Sequence, residues 1–385
     1  MKPSSRRQNE LRRVLKRARA APLGRGPAPE AMFESAAVGP RPPPVDEDFA
    51  RASLEVAEAA MQADDGIDPA DRAAALDAAR RAYRRIAVEG AAPAGPDISA
   101  LEAIQMFDGS RPAIALDGDE IPLDDPALGD WQGAAVIHGA EIARLAAAAC
   151  LISSGDEALG SGFLVADGLI MTNRHVLEAT AEETAGGWRF ARETTAAFSS
   201  ADQRAVTAVE MAGPKPIGIG IDFSRLDMAL LRLAPRAAGL ADPPPAPPTL
   251  DVSGAFGAPP ALAMDARVCT VGFPIAIRDL SVEAQSLKLF RGKLGRKCWA
   301  PGLIDAMPVT MPTDRRKEWI FGYDASTLPG NSGSCVADLE RAPRLALGLH
   351  IGGVTQAGNF AHSIAAAQNH LRAHGLRFDA GEPGG

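Results

Sequence analysis

The sequence predicts a mainly β chain led in by helices. Paired apolar runs separated by a short turn occupy residues 160–177, and a further apolar run spans 226–233 ahead of a proline-rich stretch. Ala-rich segments with helical spacing precede these runs. With 385 residues, 46% of them hydrophobic, the chain can bury a substantial core and form more than one domain.

Residues 1–45 combine basic side chains with runs such as Gly39-Pro40-Arg41-Pro42-Pro43-Pro44. This composition predicts a disordered tail, with at most a transient helix over Asn9 to Arg19. The first thirty residues carry nine Lys or Arg against Glu10 and Glu30, whereas the whole chain is at −8. The tail lacks aromatic interleaving and any nucleic-acid-binding pattern, so nucleic acid is not the expected partner.

From Asp46 to Gln62 and from Asp68 to Ile86, the apolar spacing predicts a helical hairpin within residues 46–92, broken at Asp64-Asp65-Gly66. Asp68-Pro69 is a helix start, with an acceptor at the cap and a proline at the first helical position. A lead-in over 93–147 is expected to hold a short helix at Ile98 to Met106, a strand at Arg111 to Leu116, and a helix at Ala134 to Ala147.

Next come Gly160-Ser161-Gly162-Phe163-Leu164-Val165, read as one strand, and Leu169 through Leu177, read as a second. Ala166-Asp167-Gly168 supplies the hairpin turn between them. His175 falls at the end of the second, a rigid place for a proton-shuttling group. Leu226 to Leu233 forms another buried run, with Asp227 at its start. Asp222, five positions earlier, is a rival carboxylate. The stretch 241–248 is rich in proline and resists strand formation.

Near the C-terminal end, Gly330-Asn331-Ser332-Gly333 puts a serine at the centre of a turn. A serine hydroxyl needs a base, a carboxylate that orients the base, and oxyanion donors before it acts as a nucleophile. His175 supplies the base and Asp227 the carboxylate for Ser332, in the chain order His175, Asp227, Ser332. Each also has a plain reading: Gly and Asn favour turns, histidines satisfy cores, and aspartates precede strands. Their agreement in order and flanking residues favours the chemical one.

The strings Gly-Ser-Gly-Phe-Leu-Val, Thr-Asn-Arg-His-Val, Asp-Met-Ala-Leu-Leu-Arg-Leu and Gly-Asn-Ser-Gly-Ser resemble those of bacterial trypsin-like serine peptidases, above all the glutamyl endopeptidase branch. The resemblance covers about residues 148–371. It implies a chymotrypsin-like fold of two antiparallel six-stranded β-barrels, one over about 148–240, the other over about 249–371, joined by 241–248 and followed by a tail over 372–385. The active site would lie in the cleft between the barrels, with an extended peptide or protein substrate along a strand edge.

The resemblance further implies an oxyanion hole made by the amides of Gly330 and Ser332. Ser326 stands where trypsin-like specificity for basic residues would need a carboxylate. Thr327 and His350, the latter in Gly348-Leu349-His350-Ile351-Gly352-Gly353, match the residues that bind an acidic side chain in the glutamyl branch; both can donate hydrogen bonds to a carboxylate. The plain alternative is that His350 packs in a core strand. That branch also uses a processed N-terminal amine, whereas here a long segment precedes the peptidase region. Cys335 replaces the usual proline after the Gly-Ser pair and is expected to be small and buried.

No cofactor or metal is implied. Cys150, Cys269, Cys298 and Cys335 show neither metal spacing nor a disulfide framework, and neither an export signal nor a membrane-spanning run is visible, which points to the cytoplasm. The expected activity is a serine endopeptidase. Against it stand a non-catalytic peptide-binding module on the same fold, and a zymogen restrained by the N-terminal third. The helical hairpin could recruit a regulatory protein, inhibit the enzyme, or act as a solvated spacer.

Overall fold

The computed structural model describes residues 47–64, 67–89, 96–215, 225–241, 243–251, 262–275, 293–306, 320–340, 343–354 and 358–378. The basic tail, the rival Asp222 and the final tail residues therefore lie outside the described residues.

One unit is helical. Helix α1 (Glu47–Ala63) turns Phe49, Ser53, Ala57, Ala60 and Met61 inward, one stripe at three- to four-residue spacing. Helix α2 (Pro69–Ala87) starts at the expected place. The Asp68 carboxylate accepts from the Ala70 amide at 2.8 Å, and Pro69 occupies a position whose N–H would have no helical partner. Phe49 meets Tyr83 edge to face, with ring centroids 6.2 Å apart. Helix α3 (Pro96–Phe107) adds Leu101, Ile104 and Phe107 to the buried set.

The second unit carries the β structure. Of the strand expected over Arg111–Leu116, only β1 (Ile114–Ala115) forms, pairing antiparallel with Trp299 and Cys298. Pro112 has no N–H for the ladder, so pairing can begin only after it. A 3-10 turn (Pro126–Trp131) leads into α4 (Gln132–Ala148), two residues longer at its start than expected. Its Ala135, Ile142, Leu145 and Ala146 join a shared core with Phe163, Met171, Leu230, Val271, Trp299 and Leu349. Burying these side chains contributes roughly 1.5–3 kcal/mol for each large aliphatic or aromatic residue.

Strands β2 (Ala149–Ser154), β3 (Glu157–Ala166), β4 (Leu169–Thr172), β7 (Thr194–Ala197), β8 (Gln203–Ala212) and β9 (Ala229–Leu233) close the first barrel in the order β2-β3-β4-β9-β8-β7. Between β4 and β7 lie a short helix, α5 (Arg174–Thr180), and the hairpin β5 (Ala181–Thr184) and β6 (Gly187–Phe190). The stretch 243–248 carries no strand.

Strand β10 (Thr249–Leu250) then pairs parallel with β15 (Leu345–Val354). The second barrel contains β11 (Arg267–Gly272), β12 (Cys298–Ala306), β13 (Ile320–Tyr323), β14 (Cys335–Asp338), β15 and β16 (Gly358–Ser363). It runs β12-β11-β14-β15-β16-β13, and the β12–β13 pairing closes it. Helix α6 (Ile364–Leu371) follows, its N-terminus capped by Ser363. The fold is thus mainly β, two closed antiparallel six-stranded barrels of chymotrypsin-like architecture with helices ahead of them.

Candidate active site

The expected base does not sit on a strand. β4 ends at Thr172, Asn173 has extended backbone (φ −77°, ψ 152°), and His175 is the second residue of α5. The turn into helix is set by Arg174, whose buried guanidinium binds Glu178 one turn along at 2.9 Å, Glu183 at 2.6 Å and the Gly213 carbonyl. It also lies over the Trp188 ring at 5.1 Å. A strand would point Arg174 and Glu178 to the same face but well apart; the helix brings them together.

Asp227 lies two residues before β9 and holds His175 at two points. Its Oδ1 accepts from the His175 backbone amide at 2.9 Å, and its Oδ2 lies 2.6 Å from Nδ1. A carboxylate can only accept, so Nδ1 carries the proton and Nε2 is left as the basic nitrogen. Burial pushes the Asp227 carboxyl up, but the hydrogen bonds and charge of His175 outweigh it and hold the group below its ordinary value. The side chain of His175 is 44% exposed and that of Asp227 15%, so the base is open to an incoming group while the carboxylate behind it is covered.

The rest of Asp227 is fixed as firmly. Its carbonyl accepts from Asn173 Nδ2 at 3.0 Å, and its amide donates to His362 Nε2 at 2.9 Å. Neither Asn173 nor His362 was singled out by sequence. His362 is 135 positions from Asp227, and no local pattern marks it. Burial holds His362 neutral, its pKa down at about 4 despite the nearby Asp227 charge.

Ser332 lies in the turn between β13 and β14. Its hydroxyl donates to the Ile351 carbonyl at 3.2 Å, and its carbonyl accepts from the Ser161 amide at 2.8 Å, joining the turn to the first barrel. Gly330 has φ +94°, and a Cβ there would lie 2.5 Å from the Phe273 carbonyl oxygen. The preceding carbonyl, of Pro329, accepts from the Ile275 amide at 2.8 Å. Because the peptide is trans, the Gly330 N–H points the opposite way. Among the described residues, the amides of Gly330 and Ser332 donate to no protein acceptor. Two unpaired donors beside one hydroxyl suit a developing oxyanion.

The expected specificity residues are in two different states. His350 is buried on β15, its Nδ1 2.7 Å from the Tyr323 hydroxyl, and burial brings its pKa down to about 3, so it is neutral. Thr327 is half-buried and donates its hydroxyl to Asn359 Oδ1 at 2.5 Å, while Asn359 donates to the Ala325 carbonyl. Asn359 was also missed by sequence. Ser326 is half-buried in the same segment. Cys335 is buried as expected, and the four cysteines are free, with burial raising all four thiols.

Residues 160–342 match the model of the trypsin-like peptidase domain. A probable serine protease of Lysobacter enzymogenes is 32% identical over 306 residues, covering 72% of this chain and 76% of that protein. The chain belongs to the trypsin-like serine peptidases. It is thus a hydrolase of the serine endopeptidase class. Solved structures similar to this trypsin-like peptidase include an inactive form of Rv3671c from M. tuberculosis H37Rv, at 19% identity over 62% of this chain and 93% of that one, TM-score 0.38. A serine endoprotease from Yersinia pestis is 18% identical over 60% of this chain and 64% of that one, TM-score 0.37. Among the described residues of the peptidase, no helix is long and apolar enough to cross a membrane.

Proposed function

We propose that the peptidase cleaves peptide bonds by acyl transfer through Ser332, His175 and Asp227. The observation that carries this reading is the two-point hold of Asp227 on His175, which leaves Nε2 as the free base. Ser332 Oγ attacks the scissile carbonyl while His175 Nε2 takes its proton. Asp227 stabilises the resulting imidazolium, and the amides of Gly330 and Ser332 hold the oxyanion. His175 then returns the proton to the leaving amine. Water, activated by the same histidine, releases the acyl group and regenerates the serine. A fluorophosphonate probe should label the wild type but neither Ser332→Ala nor His175→Ala. A folded, unlabelled wild type would refute an active triad and favour the peptide-binding module.

We further propose an acidic residue before the scissile bond, on the strength of Thr327 and His350. Because His350 is neutral, its contribution is hydrogen-bond donation rather than charge, and Asn359 fixes the Thr327 hydroxyl. Profiling with a peptide library tests this; a preference other than Glu or Asp would reject it. The four buried free cysteines support a reducing, cytoplasmic setting.

The Ser332 hydroxyl bonds to Ile351 rather than His175, which favours a second reading in which the triad of the intact chain is at rest; in that reading, activation follows displacement or cleavage of the N-terminal third. The helical unit would then be the regulatory part. A groove of about 680 Å³ between α1 and α2, floored by Ala50, Leu54 and Tyr83 and edged by Glu58 and Arg80, is where a partner would dock.

A further inference from the structure

We propose that His362 is a positioning residue for the Asp227–His175 pair, acting through the Asp227 backbone; this rests on the triad reading above. His362 stands on β16 of the second barrel, opposite Ile320, whereas Asp227 leads into β9 of the first. Its imidazole is fully buried, and its Nε2 accepts the Asp227 amide at 2.9 Å. An imidazole nitrogen that accepts carries no proton, so the proton is on Nδ1.

Nδ1 of this ring has no hydrogen-bond partner among the described residues. A buried donor left unpaired is costly, so the ring is poorly explained as a core filler. What it does supply is an acceptor for an amide beside the triad. Asp227 is thereby held at four atoms: the amide by His362, the carbonyl by Asn173, Oδ1 by the His175 amide and Oδ2 by His175 Nδ1. Three of these contacts come from the single segment 173–175. The fourth comes from the other barrel and couples the position of the carboxylate to the barrel that carries Ser332. Removing it would free the Asp227 backbone to shift relative to Ser332. A displacement of about 1 Å can cost on the order of 100-fold in turnover.

The test uses the full chain, peptide hydrolysis and four substitutions. His362→Leu removes the acceptor. His362→Gln places Oε1 near the Nε2 position, while His362→Asn ends short of it. Asp227→Ala removes the group being positioned. Leu and Asn should lower kcat by about 10- to 100-fold with little change in KM, and Gln should restore most of it. On the Asp227→Ala background, the Leu change should have no further effect on kcat, because there is no carboxylate left to place. Wild-type kcat in a folded Leu variant would overturn the proposal, as would equal losses in Gln and Asn or full additivity with Asp227→Ala. If Leu does not fold, the Gln and Asn pair decides. A wild type that is inactive towards peptides and the fluorophosphonate refutes the triad reading and this inference with it; an active wild type with an indifferent His362 refutes this inference alone.

Discussion

Ser161 donates its hydroxyl to the Gly330 carbonyl at 2.7 Å and accepts from the Phe273 amide at 2.9 Å. One buried side chain on the first barrel thus closes two backbone groups around the turn that holds Ser332. Its own amide and carbonyl are used as well, by the Ser332 carbonyl and the Thr172 hydroxyl.

Ser161→Ala should therefore leave the Gly330 carbonyl and the Phe273 amide without this partner. We expect a loss of roughly 1–3 kcal/mol in unfolding free energy, measured by denaturant titration, together with a lower kcat from a loosened turn. Unchanged stability and turnover would mean that water replaces the hydroxyl without cost.

Gly330→Ala should be more severe for catalysis. Besides the Phe273 oxygen, an added Cβ meets Ile275 Cγ1 at 2.5 Å, on a backbone at φ +94° that L residues rarely adopt. Relief requires moving the peptide whose N–H is the proposed oxyanion donor, and loss of such a donor costs about 100- to 1000-fold in kcat. Single-turnover kinetics of a folded variant provide the check.

Arg174→Lys should behave as a loss rather than a conservative change. The guanidinium reaches Glu178, Glu183 and the Gly213 carbonyl at once while covering Trp188, a geometry an ammonium cannot reproduce. Because Glu183 is 54% exposed, only part of the ion pairing adds to stability. The expected result is a lower thermal midpoint and a reduced kcat, since the helix start carrying His175 loses its anchor.

Stability should fall on acidification before the carboxylates titrate. His350 and His362 have pKa values of about 3 and about 4 against an ordinary 6.5, with burial the leading cause in both. Above pH 6.5 both states are neutral and the stability is fully present; below it the unfolded chain binds protons that the folded one refuses. Each histidine should then cost roughly 1.4 kcal/mol per pH unit, down to its folded pKa. Asp227 is shifted below its ordinary value too, so its contribution is lost only at lower pH still. Urea titrations between pH 7 and 4 measure the slope, and His362→Gln should reduce it.

If the intact chain is restrained, removing residues 1–112 should raise the rate of fluorophosphonate labelling. This cut keeps β1 on β12 and α4 in the core, so the barrels retain their packing. Equal rates before and after removal would reject restraint.

Local chemistry carried much of the chain. Asp68-Pro69 marks a helix start because cap and proline act within one turn, and Asp167-Gly168 marks a hairpin because two adjacent residues make the turn; Ala166, expected in that turn, instead ends β3 and pairs with Leu169. The sequence could nominate His175, Asp227 and Ser332 because each sits in a recognisable string. Local pattern failed where long-range contacts overrule it: the apolar run after Leu169 reads as a strand to Leu177, yet Arg174 finds Glu183 and Gly213 and turns the chain into helix. His362, Asn359 and the role of Ser161 depend on approaches across 135, 32 and 169 positions respectively. Only the folded barrels bring those atoms within hydrogen-bonding range, so tertiary structure alone decided how the Asp227 carboxylate, the Thr327 hydroxyl and the Ser332 turn are held.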